Sequence, residues 1–253
     1  MKALFVALAF GLSAIASATA ADLPTVKGPP PAPAQTPFSW TGFYIGGQIG
    51  YAWNSGSFNN SIDPNAPEYA LPVFSFGDSG VIGGAHAAYN YQIGQFVIGA
   101  EGEFDFTGIN GWNQVVPYPY GTALIHTTQN ELGAIDAKLG YAFDRFLVSA
   151  VGGVAFTKYS LADQDLCEGP CGGLGILYAR SYPGGYRTGW TIGASIDYAL
   201  TNSWIFGVDY RYYDFGSANV FSGYPVTPAG PGLDGLKVQE TENALTASAS
   251  YKF

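Results

Sequence analysis

The chain has 253 residues, of which 11% are charged, 16% are aromatic and 35 are glycine. A surface that faces water normally carries far more charge, so this composition excludes an ordinary soluble domain with a fully hydrated exterior. The chain has 10 basic residues against 19 acidic ones and no basic run, which excludes nucleic acid as a partner.

The first 20 residues have the organisation of a secretory signal peptide. Lys2 precedes the apolar residues 3–15, and the small residues Ala18-Thr19-Ala20 follow them. This apolar stretch is too short for a transmembrane helix, and no other segment offers about 18 consecutive apolar residues. We therefore expect residues 1–20 to be removed, and the mature chain to lack a transmembrane helix.

Residues 21–39 are rich in proline, with Pro29, Pro30, Pro31 and Pro33 close together. Proline has no backbone N–H, so this segment is unsuited to a helix or a sheet. It is predicted to be an extended periplasmic leader that acts as a spacer, with a recognition role as the less favoured alternative. The remaining residues, 40–253, form the predicted barrel domain.

After Ser39, apolar side chains recur at every second position in eight segments. In the third segment, Glu101, Glu103 and Asp105 all fall on one face, whereas a helix would scatter them. The segments are residues 43–53, 81–92, 95–106, 130–142, 146–157, 188–199, 204–213 and 243–253. Strands of about ten residues that alternate in this way are typical of membrane barrels. The pattern predicts an all-β protein, an eight-stranded antiparallel up-and-down transmembrane β-barrel.

Short and long connections alternate along the chain. The short ones are residues 92–95, 143–145 and 200–203, and the long ones are 54–78, 108–127, 159–187 and 216–238. Bacterial barrels have short periplasmic turns and long outer loops. The sequence therefore predicts four extracellular loops, with both ends of the barrel on the periplasmic side. Aromatic residues at both ends of the strands favour a membrane barrel over a soluble β-sandwich.

Charged residues on the polar faces are predicted to form a network inside the barrel. They are Glu101, Glu103, Asp105, Asp136, Lys138, Asp197, Asp209 and Arg211. The interior of an eight-stranded barrel is just wide enough to be filled by side chains, and buried charges need partners. We expect Arg211 to be held by acids among Glu101, Glu103 and Asp209. A proton path or narrow pore is the alternative, and inward small residues leave room for water pockets.

Catalytic and metal-binding patterns are missing from the sequence. His86 alternates inward and His126 lies near the outer end of the fourth strand, just before the fourth segment, but no motif sets a nucleophile beside either. No P-loop, nucleotide fingerprint or metal-ligand cluster is present. We expect no enzyme activity, no cofactor and no metal.

Cys167 and Cys171 are separated by three residues in the third long connection. An even number of cysteines in an exported chain favours a disulfide, here facing the cell exterior. A redox pair, normally C-x-x-C, and a metal site, which would need further ligands, are the alternatives.

Three motifs carry a resemblance to a known family: Trp40-Thr41-Gly42-Phe43-Tyr44-Ile45-Gly46-Gly47, Gly189-Trp190-Thr191-Ile192-Gly193-Ala194 and the terminal Ser250-Tyr251-Lys252-Phe253. Together with Ala-Asp-Leu-Pro after the signal peptide, they resemble the alphaproteobacterial outer-membrane immunogenic proteins, OmpA-like β-barrels of the porin family that include surface antigens. The resemblance implies an outer-membrane location. It also implies that Tyr251 and Phe253 form the signal read by the barrel-assembly machinery.

Members of that family are described as porin-like, host-interacting, envelope-stabilising or haem-binding. The fourth segment departs from the family, which has two inward arginines where this chain has Asp136 and Lys138. We expect an envelope-structural and surface-interaction role through the long loops, without catalysis. The expected partners are outer-membrane lipid, the barrel-assembly machinery and a host or surface ligand. The alternative is a narrow porin-like channel or a protein that binds a small ligand such as haem.

Overall fold

A computed structural model describes residues 37–60, 74–118, 121–167, 176–220 and 236–253. The predicted signal peptide, most of the predicted leader and Cys171 lie outside these ranges. The strands are β1 Gly42–Asn60, β2 Phe74–Phe76, β3 Ser79–Ile93, β4 Phe96–Tyr118, β5 Gly121–Phe143, β6 Phe146–Cys167, β7 Ile176–Ala199, β8 Trp204–Val220 and β9 Leu236–Lys252. Within the described residues, no helix is long and apolar enough to cross a membrane.

The eight long strands form one closed antiparallel barrel. Each pairs with its neighbour in sequence, and β1 also pairs with β9, from Tyr44↔Lys252 to Asn60↔Leu236, which closes the sheet. The short β2 pairs with the far end of β1. The predicted all-β, eight-stranded up-and-down barrel is therefore confirmed.

The two ends of the barrel differ in their connections. One end, here called the turn end, carries the tight turns at Gly94-Gln95 and Asp144-Arg145, the 200–203 connection and the C-terminus. Asp144 has φ 53° and Gly94 has φ 64°, the left-handed conformation that a two-residue hairpin turn requires. The opposite end, here called the loop end, carries the other four connections, of which residues 61–73, 168–175 and 221–235 are longer and residues 119–120 are as short as a turn.

The four long connections predicted from the sequence are too long. β4 and β5 continue to Tyr118 and from Gly121, although residues 108–127 were expected to form a loop. Strand pairing likewise extends into the predicted 54–78, 159–187 and 216–238 loops. In these extensions apolar and polar residues no longer alternate regularly, as at Val115-Val116 and Leu124-Ile125, although backbone pairing continues. Register shifts such as Phe106/Ile109 mark these extensions.

The alternation along the strands separates an apolar exterior from a charged interior. Ile49, Phe106 and Ile135 point outward and are 64%, 65% and 68% exposed, whereas Asp105 and Arg211 point inward and are buried. A continuous exposed belt of aliphatic and aromatic side chains is far larger than the apolar patches of soluble proteins. The charged lumen is consequently the main feature of the interior.

Candidate functional site: the charged lumen

The structure places all eight predicted lumen residues inside the barrel and brings them together. Six are buried, and Asp197 and Asp209 are partly exposed to the lumen. Six of these eight residues are acids, and two, Lys138 and Arg211, are basic.

Arg211 on β8 contacts four carboxylates at once. Its Nη2 lies 2.5 Å from Glu101 Oε1, and its Nη1 lies 2.8 Å from Glu103 Oε1. Nη1 also contacts Asp136 Oδ2, and Nε donates to Asp209 Oδ1 at 2.8 Å. The planar guanidinium presents its donors in a fixed fork, which suits several carboxylates in one plane. Because the acids come from β4, β5 and β8, one side chain cross-links both walls of the barrel.

Lys138 on β5 forms a second cationic centre beside Arg211. Its Nζ lies 2.7 Å from Glu101 Oε2 and 3.9 Å from Asp197 Oδ2. Glu101 thus bridges the two cations, with one carboxylate oxygen on each. Asp197 also accepts a 3.4 Å hydrogen bond from Ser195. Of the two acids that contact Lys138, Asp197 is therefore held less tightly than Glu101.

A hydrogen-bonded chain connects β9 with the acids of β4 through His86. His86 Nε2 lies 2.7 Å from Ser250 Oγ, and His86 Nδ1 lies 2.8 Å from Gln48 Oε1. Gln48 Nε2 then donates to Asp105 Oδ2 at 2.8 Å and to Glu103 at 3.2 Å. His86 and Gln48 therefore orient carboxylates that Arg211 does not fully satisfy.

Three lumen acids lie opposite an inward glycine of the neighbouring strand. The pairs are Asp105 with Gly84, Asp136 with Gly153 and Asp197 with Gly207. A β carbon at any of these glycines would lie within 2.6 Å of the carboxylate oxygen opposite. The acids thus lie against the barrel wall, in the space that a side chain would occupy. At these positions the glycines make room for acids rather than for water.

Two apolar layers enclose the charged layer along the barrel axis. At the turn end the layer contains Phe38, Trp40, Tyr44, Ala88, Val97, Ala142, Leu147, Ala199 and Ile205. Towards the loop end it contains Ala52, Ile82, Ile109, Leu132, Ala134, Ala155, Tyr213, Phe215 and Ala244. Tyr213 also donates to Glu103 at 2.8 Å, so the layers are joined.

Beyond the second apolar layer lies another ion pair, between a part-buried arginine and a buried glutamate, that the sequence pattern does not predict. Arg187 Nη1 lies 3.0 Å from Glu240 Oε2, and Asn54 Nδ2 donates to Glu240 Oε1 at 3.3 Å. Glu240 is completely buried. The sequence places Arg187 in the third long connection, because the alternation that defines β7 begins only at Thr188, and that of β9 begins at Asn243, after Glu240. No sequence signal paired these residues, since their proximity depends on strand register.

A small polar cavity lies between the turn-end apolar layer and Arg211. It measures about 40 Å³ and is lined by residues including Trp40, Lys138, Ser195 and Asp209. Since one water needs a cavity of roughly 10–15 Å³, this cavity has room for a few waters. It is far smaller than the about 300–1,000 Å³ of pockets that bind organic ligands.

The remaining predicted positions lie apart from the lumen. Tyr251 and Phe253 point outward at the turn end, with ring centroids 5.1 Å apart, and their role in assembly stays a prediction. Cys167 is the last residue of β6, but Cys171 lies outside the described residues, so their disulfide also stays a prediction. In the part of the chain that the structure describes, no group of three or more His, Cys, Asp or Glu residues could hold a metal ion.

An apolar exterior, a closed antiparallel sheet and a lumen filled by cross-linked charges define a small membrane-type β-barrel. The chain belongs to the family of the outer membrane protein beta-barrel domain, whose model matches residues 5–253. It is therefore an outer-membrane β-barrel protein.

Sequence similarity to known proteins covers most of the chain. The 31 kDa outer-membrane immunogenic protein of Brucella melitensis is 32% identical and matches 81% of this chain and 83% of its own length. The 25 kDa outer-membrane immunogenic protein of Brucella abortus is 27% identical and matches 87% of each chain. Among solved structures, the outer membrane protein OprG from Pseudomonas aeruginosa has a TM-score of 0.44 at 14% identity, covering 84% of this chain and 96% of that one.

Proposed function

We propose that this protein is a closed, non-catalytic outer-membrane barrel that contributes to the envelope and displays its long connections at the cell surface. In this arrangement the loop end faces the exterior, and the turn end faces the periplasm. Outer-membrane lipid would surround the apolar exterior, and a host or other surface ligand would meet the loops. The names of the Brucella relatives, which are immunogenic proteins, support surface display.

The observation that carries this proposal is the cross-link at Arg211. Its guanidinium joins acids from β4, β5 and β8 across the barrel and is itself only 2% exposed. An open pore needs a continuous aqueous path, whereas here side chains fill the cross-section at this level. The apolar layers on both sides of Arg211 add two further barriers to ions.

Neither alternative from the sequence analysis has comparable support. A haem-sized ligand does not fit a cavity of about 40 Å³. A narrow channel would have to pass the Arg211 cluster and both apolar layers. Among the described residues, Ser250 Oγ contacts His86 Nε2, but His86 Nδ1 contacts the amide oxygen of Gln48 and not a carboxylate, so these residues do not form a Ser-His-acid triad.

Conductance measurements test the closed lumen. We expect purified, folded protein to give no steady current steps in a planar bilayer, whereas a general porin handled in parallel does. Reproducible ohmic steps from the folded form, absent from a heat-unfolded sample, would show a channel and overturn the proposal.

Epitope insertion tests the orientation and display. A short peptide tag is inserted within residues 61–73 in one variant and between Asp144 and Arg145 in another. Antibody should bind intact cells only in the first case, and both variants after the outer membrane is permeabilised. Binding of intact cells through the tag at the Asp144-Arg145 turn would place the turn end outside and contradict the proposed display.

A further inference from the structure

The residues that precede β1 fold back into the turn end of the barrel. Trp40 is 1% exposed, and Phe38 packs edge-on against it with ring centroids 4.9 Å apart. Together with Tyr44 and Ile205, these rings belong to the turn-end apolar layer. Phe38–Gly42, here called the plug, therefore occupies the mouth of the lumen.

Hydrogen bonds fasten the plug to β3 and to a turn. The Trp40 backbone N–H donates to Gln92 Oε1 at 2.7 Å, and the Gln92 backbone N–H donates to Thr41 Oγ1 at 2.9 Å. The indole Nε1–H of Trp40 donates to the backbone carbonyl of Asp144 at 3.2 Å. Tyr44 donates from its hydroxyl to the Trp40 carbonyl at 2.6 Å. The plug thus connects β1, the end of β3 and the β5–β6 turn.

Cationic side chains hold the outer side of the plug. Lys252 donates from Nζ to the Ser39 carbonyl, and the same Nζ lies 4.8 Å from the centroid of the Phe38 ring. Arg145 Cζ lies 5.7 Å from the centroid of the same ring. These are favourable cation–π distances. Since Lys252 belongs to β9, the plug also spans the seam where β9 closes on β1.

Gly42 forms the elbow between the plug and β1. Its φ is +151°, which residues with a side chain rarely adopt. A β carbon there would also come within 3.0 Å of Lys252 Cε and 3.1 Å of the Phe253 carbonyl oxygen. Glycine is therefore favoured where the chain reverses from the lumen into the first strand, at the end of the Trp40-Thr41-Gly42 motif.

The small polar cavity lies directly behind the plug, and Trp40, Tyr44 and Ile205 line it on this side. Its lining includes the carboxyl groups of Glu101, Glu103, Asp197 and Asp209, against the basic groups of Lys138, Arg211 and His86. An excess of carboxyl groups in a confined space attracts cations and repels anions.

We infer that the plug is a lid that separates this acidic cavity from the solvent at the turn end, and that small cations enter the cavity when the lid is displaced. The inference goes beyond the proposed function and does not depend on which end faces the periplasm. The Arg211 cluster and the second apolar layer close the cavity on the loop side, so the plug controls its access.

Cysteine accessibility in detergent micelles tests the lid. Ser195 is buried and lines the cavity, and cysteine is nearly the same size as serine. Ser195→Cys is introduced in a Cys167→Ser, Cys171→Ser background, with and without Trp40→Ala. The reagents are 2-aminoethyl methanethiosulfonate, a cation, and 2-sulfonatoethyl methanethiosulfonate, an anion of similar size. We expect Trp40→Ala to raise the rate with the cationic reagent at least tenfold, and the rate with the anionic reagent much less.

Trp204→Ala is the matched control, because Trp204 is an outward aromatic residue at the same end of the barrel. It should leave the rate unchanged. Equal rates with and without Trp40, an equal rise for Trp204→Ala, or no preference for the cation would overturn the inference. Heat-modifiable mobility on gels establishes that each barrel is folded. If Trp40→Ala does not fold, Gln92→Ala, which removes one hydrogen bond to the plug, replaces it with the same expected direction.

Discussion

Gly207 on β8 lies directly opposite Asp197 on β7, and Asp197 Oδ1 occupies the place that a side chain at position 207 would need. The atoms closest to that place, Asp197 Oδ1 and Ser248 Oγ, both belong to side chains. Gly207→Ala should therefore displace Asp197 and lower the free energy of unfolding by about 1–3 kcal/mol, as overpacking does. Urea unfolding in detergent or lipid, followed by tryptophan fluorescence, measures the change.

The outward Gly102 is a matched control for Gly207. A β carbon there would meet nothing closer than the Ala134 carbonyl oxygen at 4.0 Å. Gly102→Ala should be neutral or stabilise by up to about 1 kcal/mol, because alanine restricts the unfolded chain. Adding Asp197→Ala to Gly207→Ala should restore most of the lost stability. If the double variant stays as unstable as Gly207→Ala, the clash with Asp197 is not the cause.

Arg211→Met should destabilise the whole barrel. The change leaves Glu101, Glu103 and Asp136 buried without their shared cation, and breaking a buried ion pair costs about 3–5 kcal/mol. The expected result is a lower urea midpoint and a lower temperature for loss of the heat-modifiable gel shift. Arg145→Met, at the turn end, should change both much less. An unchanged urea midpoint for Arg211→Met would contradict the view that the ion pairs of this guanidinium stabilise the barrel.

Arg187→Met should weaken the loop end of the barrel. Arg187 donates to the completely buried Glu240 and to the backbone carbonyls of Phe215 and Gly216. Its loss leaves Glu240 uncompensated, so we expect faster proteolysis of the β8–β9 connection and a lower unfolding midpoint. Lys158→Met is the control, because the Lys158–Glu131 pair at 3.3 Å lies on the exposed outer side. Similar effects of both variants would refute a special role for the Arg187–Glu240 pair.

Reduction should reveal the predicted disulfide between Cys167 and Cys171 without unfolding the barrel. The two cysteines would close a loop with only three residues between them, so the bond restricts the unfolded chain little. An impermeant maleimide should label intact cells only after reduction, and the urea midpoint should hardly change. Labelling without prior reduction would show that the thiols are free.

The sequence was sufficient to predict which side chains face inward, because that property is local. In an extended strand successive side chains point to opposite faces, so Glu101, Glu103 and Asp105 had to share a side. An acid on a lipid-facing surface is costly, which decides that the shared side is the lumen. The strand number and the alternation of turns and loops follow from the same local pattern.

Partnerships across the lumen depended on the tertiary structure. Arg211 was expected to meet Glu101, Glu103 and Asp209, but Asp136 on β5 also contacts it. Which acids lie at the height of Arg211 depends on the stagger of the strands when the sheet closes, and alternation contains no information about stagger. The Arg187–Glu240 pair and the glycines opposite the acids were missed for the same reason.

The plug shows the difference most clearly. Residues 21–39 were predicted to be a leader because proline disfavours strands, and Trp40 was assigned to the opening of the barrel. The structure instead buries Phe38 and Trp40 inside the mouth of the lumen. Gln92 and Asp144, which bond to Trp40, are 52 and 104 residues from it along the chain. Lys252, which bonds to Ser39, is 213 residues from Ser39. A contact over such a separation exists only after the barrel has closed, so local sequence pattern cannot reveal it.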